Sequence, residues 1–252
     1  MIREVSLAEY NKLINLQIQN GVSYSEQFKG SRKTLIVKNR PLVSLLLSGS
    51  YLELDNLSNN QFGSFLGLFK NHIYRQLKKN DLFNLKISYN GLSRNKNKKL
   101  YEQAPILTTW YNVDLKSAYW QMGYILGYVS KNFYSKYMSL DEYKSAKRYC
   151  YSFLARPNYR IYSNGQRINC DNTMDQQIFD NIRNKLYSII QQGLDLCENE
   201  CIEYNIDSIT VSSRYLKTIT DYFDSLSLVY SVNEMLKLNE HQYLLKNKVR
   251  KF

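Results

Sequence analysis

Cys201-Ile202-Glu203-Tyr204-Asn205-Ile206-Asp207-Ser208-Ile209-Thr210-Val211 reads as two short strands around a tight turn. Both flanks are rich in β-branched and aromatic residues, and Asn205-Ile206-Asp207 supplies the turn chemistry. Upstream, residues 175–197 set Ile178, Ile182, Leu186, Ile189 and Ile190 on one helical face. Downstream, residues 214–223 read as a helix and 226–232 as a strand. Residues 241–245 read as a last short strand before a basic tail, 246–251. Further back, residues 106–113 are β-rich and end at Asp114, and a helical stretch opens at Ser117. Residues 140–155 form another helix, with Ser139 as its N-cap and Glu142 at its third position. Strand, helices, hairpin, helix, strand is the order of a ferredoxin-like or RRM-like sheet, so the expected class is α+β.

The first third reads as mainly helical. Residues 7–18 place Tyr10, Leu13, Ile14 and Ile18 near one face, and residues 59–79 place Phe62, Phe65, Leu66, Phe69, Ile73 and Leu77 at helical spacing. His72 in that second helix has no further His or acid at metal spacing and reads as a helix-surface or core side chain. Residues 33–38 form a short strand that Pro41 ends, and 85–89 form another. The polar, basic run 90–99 marks the plainest boundary, giving an N-terminal region 1–88 and a second region 89–252.

The chain of 252 residues carries 34 Lys+Arg against 22 Asp+Glu, a net charge of +12. That field favours a polyanion as partner. Its 23 Tyr suit base stacking, although codon bias accounts equally well for most of them. A hydrophobic content of 44% excludes wholesale disorder. No apolar run is long enough for a membrane span and no leader pattern opens the chain, so a cytoplasmic protein without membrane contact is expected, in the host cytoplasm if it is phage-encoded. The four Cys are not spaced as a zinc site, and neither a dinucleotide fingerprint nor a P-loop occurs. With two His and no motif around either, no Ser-His-Asp set can be argued.

The chemistry rests on two acids at strand ends. In the expected topology the strand ending at Asp114 lies beside the hairpin carrying Asp207. Carboxylates on neighbouring strands can share a hard divalent ion, Mg²⁺ or Mn²⁺, that bridges substrate phosphates. The flanking residues sharpen this. Asp114-Leu115-Lys116-Ser117-Ala118-Tyr119-Trp120 resembles the first palm motif of family B DNA polymerases, D-x-x-S-x-Y-P. Glu203-Tyr204-Asn205-Ile206-Asp207-Ser208 resembles their third, Y-G-D-T-D-S. Between them, Lys147-Arg148-Tyr149-Cys150-Tyr151-Ser152-Phe153-Leu154-Ala155 is similar to the second, K-x-x-x-N-S-x-Y-G, and the three occur in the family's order. Tyr89-Asn90-Gly91 stands where the protein-primed phage members carry a template-touching Y-x-G-G loop.

The resemblance implies a polymerase palm with short fingers helices over 89–252. Asp114 and Asp207 would be the catalytic metal ligands, with Leu115 beside them. Lys147 would meet the incoming triphosphate, and Tyr119 would lie beneath the sugar. Lys116, Ser117, Ala118 and Ser152 would line the nucleotide pocket. Tyr89, Gly91, Arg94, Lys96, Lys98 and Lys99 would follow the template. The departures are equally specific. Asn205 replaces the first Asp of D-T-D, Trp120 replaces Pro, and the second motif lacks its Asn, Tyr and Gly. No D-x-E exonuclease motif occurs, and little chain is left for a thumb, which a partner protein would then supply. Three readings follow: a minimal nucleotidyltransferase, primase-like or gap-filling, acting on nucleic acid (DNA first) with nucleoside triphosphates; a catalytically degenerate palm kept as a nucleic-acid-binding or structural phage protein; or a basic, Tyr-rich single-strand binder.

Overall fold

The structure, a computed structural model, describes residues 2–29, 32–46, 59–89, 92, 95–155, 159–170, 174–197 and 200–252. The protein is mixed α+β with two sheets. The chain divides into two compact units: Met1–His72 with Leu140–Asp180, and Ile73–Ser139 with Asn181–Phe252. The sequence reading divides it instead at 88/89. Two of the three cuts, at 72/73 and 180/181, fall inside the long helices 59–79 and 174–195, where periodicity runs on unbroken.

The first unit opens with β1 (Arg3–Val5), α1 (Leu7–Gln19), β2 (Tyr24–Lys29), β3 (Arg32–Val37) and β4 (Arg40–Leu46), followed by α2 (Asn59–Lys79), whose last residues belong to the second unit. Among the described residues four strands precede α2, so the N-terminal region expected to be mainly helical also contributes four strands to a sheet. Ser6 caps α1 by accepting the Glu9 N–H at 3.2 Å. That helix buries Tyr10 among Val5, Tyr24, Leu35, Val43 and Leu45. The buried Glu26 carboxylate pairs with Lys33 at 2.5 Å and accepts from the Tyr10 hydroxyl at 3.4 Å, so this interior charge is neutralised. Burial, then the Glu26 charge, pushes the Tyr10 hydroxyl far above its ordinary range.

The second unit carries, in chain order, β5 (Asn95–Lys96), α3 (Lys98–Gln103), β6 (Thr109–Leu115), α4 (Ala118–Ile125) and α5 (Lys131–Met138). The chain then returns to the first unit with α6 (Lys144–Leu154), β7 (Tyr159–Ser163), β8 (Gln166–Cys170) and the start of α7 (Met174–Asp195). Back in the second unit follow β9 (Cys201–Tyr204), β10 (Ser208–Val211), α8 (Ser213–Ser225), β11 (Tyr230–Lys237), β12 (Gln242–Leu245) and β13 (Lys248–Lys251). The first unit's sheet has the order β1-β4-β3-β2-β7-β8, and the second unit's has β13-β12-β11-β6-β10-β9-β5.

Three hairpins turn on two residues with positive φ. They are Lys38-Asn39 (49° and 60°), Asn164-Gly165 (47° and 76°) and Lys246-Asn247 (51° and 58°). This is the turn geometry whose twist suits flanking strands. Asn164-Gly165 is an Asn-Gly turn signal that the sequence reading passes over.

Other expectations shift locally. Residues 85–89 form no ladder, and Ser139 caps the C-terminus of α5, which Ser130 opens. The helix expected at 140 begins as a 3₁₀ turn, Asp141–Tyr143, before α6. The strand expected at 226–232 runs instead from Tyr230 to Lys237. The basic tail is itself the edge strand β13, fully exposed along its length.

In the second unit, α7 and α8 cover one face of the sheet. Gly193 makes the close approach possible, since a Cβ there would meet Ile209 Cδ1 at 2.6 Å. Tyr222 of α8 donates to the Ile189 carbonyl at 3.2 Å, tying the two helices together. The opposite face buries Trp110, Ile202, Met235, Tyr243 and Leu245 with Tyr101 of α3, and Phe252 stacks on Tyr101 at 3.8 Å between ring centres. Lys237 is buried there and stays satisfied by donating to three carbonyls at the end of α3, those of Tyr101, Glu102 and Ala104.

Candidate active site at the end of the central strand

β6 lies between β10 and β11, antiparallel to both. Period-two alternation puts Asp114 on the same face as Trp110 and Asn112, away from α7 and α8. Asn112 donates to the Thr210 hydroxyl at 2.9 Å, which fixes the β6–β10 register one step inside the site. Asp114 stands opposite Ser208 on one side and Ser231 on the other. The next rung is completed by the Leu115 N–H, which donates to the Asp207 carbonyl at 2.9 Å. Asp114 and Asp207 thus occupy adjoining strand ends, and both are partly exposed. Asn205 shapes the turn: its N–H donates to the Ser208 carbonyl at 2.9 Å and its side-chain amide to the Ser208 hydroxyl at 3.4 Å.

The corner after Asp114 is held by a residue that sequence reasoning missed. Gln121, buried in α4, donates to the carbonyls of Lys116 and Val229, each at 2.7 Å, and accepts the Val229 N–H at 2.8 Å. The Lys116 N–H also donates to Val229, at 2.9 Å. One amide therefore fixes where β6 ends and where the segment entering β11 begins. Its signal is faint, because a buried Gln cannot be told from an exposed one by sequence. The chain then turns into α4 through Ser117 in the left-handed conformation, φ 48° and ψ 49°. Lys116 is exposed, Leu115 and Ala118 are buried, and Ser117 and Tyr119 are half-buried. Trp120, standing where the motif has Pro, packs on Phe133 and Tyr137 and donates to the Tyr134 carbonyl at 3.3 Å.

Asp114 already holds a cation. Lys246, at the β12–β13 turn, places its Nζ 2.7 Å from Asp114 Oδ2, with both side chains partly open to solvent. Asp114 is thus an accessible carboxylate, the kind of oxygen ligand a hard divalent ion takes. Among the described residues no group of three or more His, Cys, Asp or Glu could hold a metal ion. The remaining ligands would have to be backbone oxygen, water and substrate phosphate, which is how Mg²⁺ is usually held.

The other expected site residues are distributed differently. Lys147 and Ser152 lie on α6, in the first unit, and Lys147 is only 3% exposed. Gly91 and Arg94 lie outside the described residues. Tyr89 is half-buried and donates to Gln191 Oε1 at 3.2 Å. Burial, followed by the nearby Asp195 charge, raises its hydroxyl above the ordinary value. Lys96 is engaged in structure. Its ammonium donates to the Lys251 carbonyl at 2.9 Å, lies 3.9 Å from Glu203 and sits over the Phe252 ring. Lys98 and Lys99 are exposed in the first turn of α3, which Asn97 caps by accepting the Leu100 N–H at 3.0 Å. No helix among the described residues is long and apolar enough to cross a membrane. No family model, curated protein or solved structure matches the chain.

Proposed function

We propose that the protein is a divalent-metal-dependent nucleotidyltransferase built on a polymerase-like palm, acting on nucleic acid with nucleoside triphosphates. The observation that carries this reading is the pairing of Asp114 with Ser208 while Leu115 bonds Asp207, which sets two acids at adjoining strand ends. The strand order β11-β6-β10-β9, antiparallel throughout, supports a ferredoxin-like palm, with helices between β6 and β9 and α8 between β10 and β11. The resemblance of residues 114–120 and 203–208 to the first and third palm motifs of family B polymerases falls on these strand ends.

Asp114 and Asp207 would hold Mg²⁺ or Mn²⁺, which when bound neutralises phosphate charge and favours in-line displacement by a hydroxyl. The chain's own residues bind and orient. The corner held by Gln121 offers exposed Lys116 and half-buried Ser117 to a triphosphate, and Tyr119 one residue into α4 offers a ring to the sugar. Lys98 and Lys99 offer charge to a phosphate backbone.

A second reading, a degenerate palm that binds nucleic acid without turnover, is favoured by Asn205 in the place of an acid and by the burial of Lys147. The test is incubation of the full chain with a labelled nucleoside triphosphate, Mg²⁺ or Mn²⁺, and primed, unprimed and single-stranded DNA and RNA. The account expects metal-dependent incorporation on at least one of them. Binding without incorporation under every condition establishes the second reading in its place.

A further inference from the structure

Resting on the metal site just proposed, we propose that Lys246 is a built-in counter-ion for that site: its ammonium sits on the Asp114 carboxylate and competes with a divalent ion for it. The turn delivers it. Leu245 pairs with Lys248, so Lys246 and Asn247 form the whole β12–β13 connection, at the end of the sheet where β6 finishes. Lys246 adopts φ 51°, a conformation in which Asn or Gly is less strained than Lys. Lys38 takes the same place and conformation in the β3–β4 turn, φ 49°, so the turn itself admits lysine; what ties Lys246 to the site is its 2.7 Å contact to Asp114 Oδ2.

The Lys246 ammonium offsets the charge of the Asp114 carboxylate. The pair is half-open, at 42% and 30% side-chain exposure, so solvent weakens it and keeps it exchangeable. A divalent ion on the Asp114 carboxylate would repel an ammonium held on its Oδ2, so the two cations would compete for the same negative charge. Metal binding and the Lys246–Asp114 contact are thus coupled, and each opposes the other by the same free energy.

The experiment is Mn²⁺ binding to the full chain, followed by electron paramagnetic resonance, for wild type, Lys246→Asn, Lys246→Arg and Asp114→Asn. Asn suits the positive φ, so the turn should survive, and the emission of Trp110 beside Leu245 reports whether it does. Lys246→Asn should bind Mn²⁺ about five-fold more tightly than wild type, while Lys246→Arg stays near it. A second measurement needs no variant: saturating Mn²⁺ should raise the reactivity of Lys246 toward an amine-directed ester in the wild-type protein. Unchanged Mn²⁺ affinity in Lys246→Asn, or unchanged Lys246 reactivity, overturns the counter-ion role. If Asp114→Asn still abolishes Mn²⁺ binding in that case, the metal site stands without it. Absence of Mn²⁺ binding in wild type and Lys246→Asn alike removes both.

Discussion

Ser117 holds the one left-handed residue between Asp114 and α4, and its backbone is the point where β6 becomes a helix. The side chain makes no capping hydrogen bond, so backbone conformation rather than the hydroxyl shapes the corner. Ser117→Gly should leave stability unchanged or raise it by up to about 1 kcal/mol, and Ser117→Val should lower it by about 1–2 kcal/mol. Urea denaturation of the two variants checks this, and a clear loss on Ser117→Gly would mean the hydroxyl holds the corner after all. At this scale the sequence was most informative where chemistry is local. Asp114, Asp207 and the turn residue Asn205 could be located because strand ends and tight turns have recognisable neighbours. Gln121 and Lys237 could not, since their roles depend on carbonyls distant in the chain: Val229 for Gln121, and the end of α3 for Lys237.

Residues 85–89 show what decides between a strand and a lone extended segment. Their composition is strand-like, yet their main chain is paired by side chains of α7 rather than by another strand. Asn181 donates to the Leu85 carbonyl at 2.7 Å and accepts the Ile87 N–H at 2.8 Å, and Asn184 donates to the Ile87 carbonyl at 2.6 Å. Asn181 also donates to the Tyr128 hydroxyl at 2.8 Å. Asn181→Ala should therefore cost about 2–4 kcal/mol, and Asn184→Ala about 1 kcal/mol, in equilibrium unfolding. Equal, small losses would show that water replaces both amides. Periodicity located α1, α2, α7, α8 and the β9–β10 hairpin because their apolar patterns are long or flanked by turn residues. It missed β1, β2, β4, β5, β7 and β8, and it misread β13 as a tail. Lys248, Arg250 and Lys251 there look like a solvated run, but charged residues are what protects an exposed edge strand from pairing with another chain.

Across the whole molecule, buried thiols link stability to pH. Burial, with the Glu200 charge second, pushes the Cys197 thiol up to about 11. Burial, with Cys197 second, pushes Cys201 up to about 12, and Cys150 is driven higher still by burial. Each folded value lies above the ordinary 9.0, so the stabilisation is whole below pH 9 and is lost as pH rises through 11 and 12. Thermal unfolding should accordingly soften above pH 9, and peptide-resolved alkylation at pH 8 should find Cys150 and Cys197 protected until the protein unfolds; fast native alkylation of either would contradict their burial. The +12 charge, at first only a general sign of a polyanion, is now divided in role: Lys96 and Lys237 serve the fold, Lys246 serves Asp114, and Lys98, Lys99 and Lys116 remain exposed. The central claim, that Asp114 and Asp207 together support nucleotidyl transfer, is tested most directly by comparing metal-dependent nucleotide incorporation in wild type, Asp114→Asn and Asp207→Asn, with circular dichroism confirming the fold of each. The account predicts incorporation by the wild type and a loss of at least about a thousand-fold in each variant, the scale of removing a metal that contributes several kcal/mol to the transition state; incorporation that persists in either folded variant would contradict it.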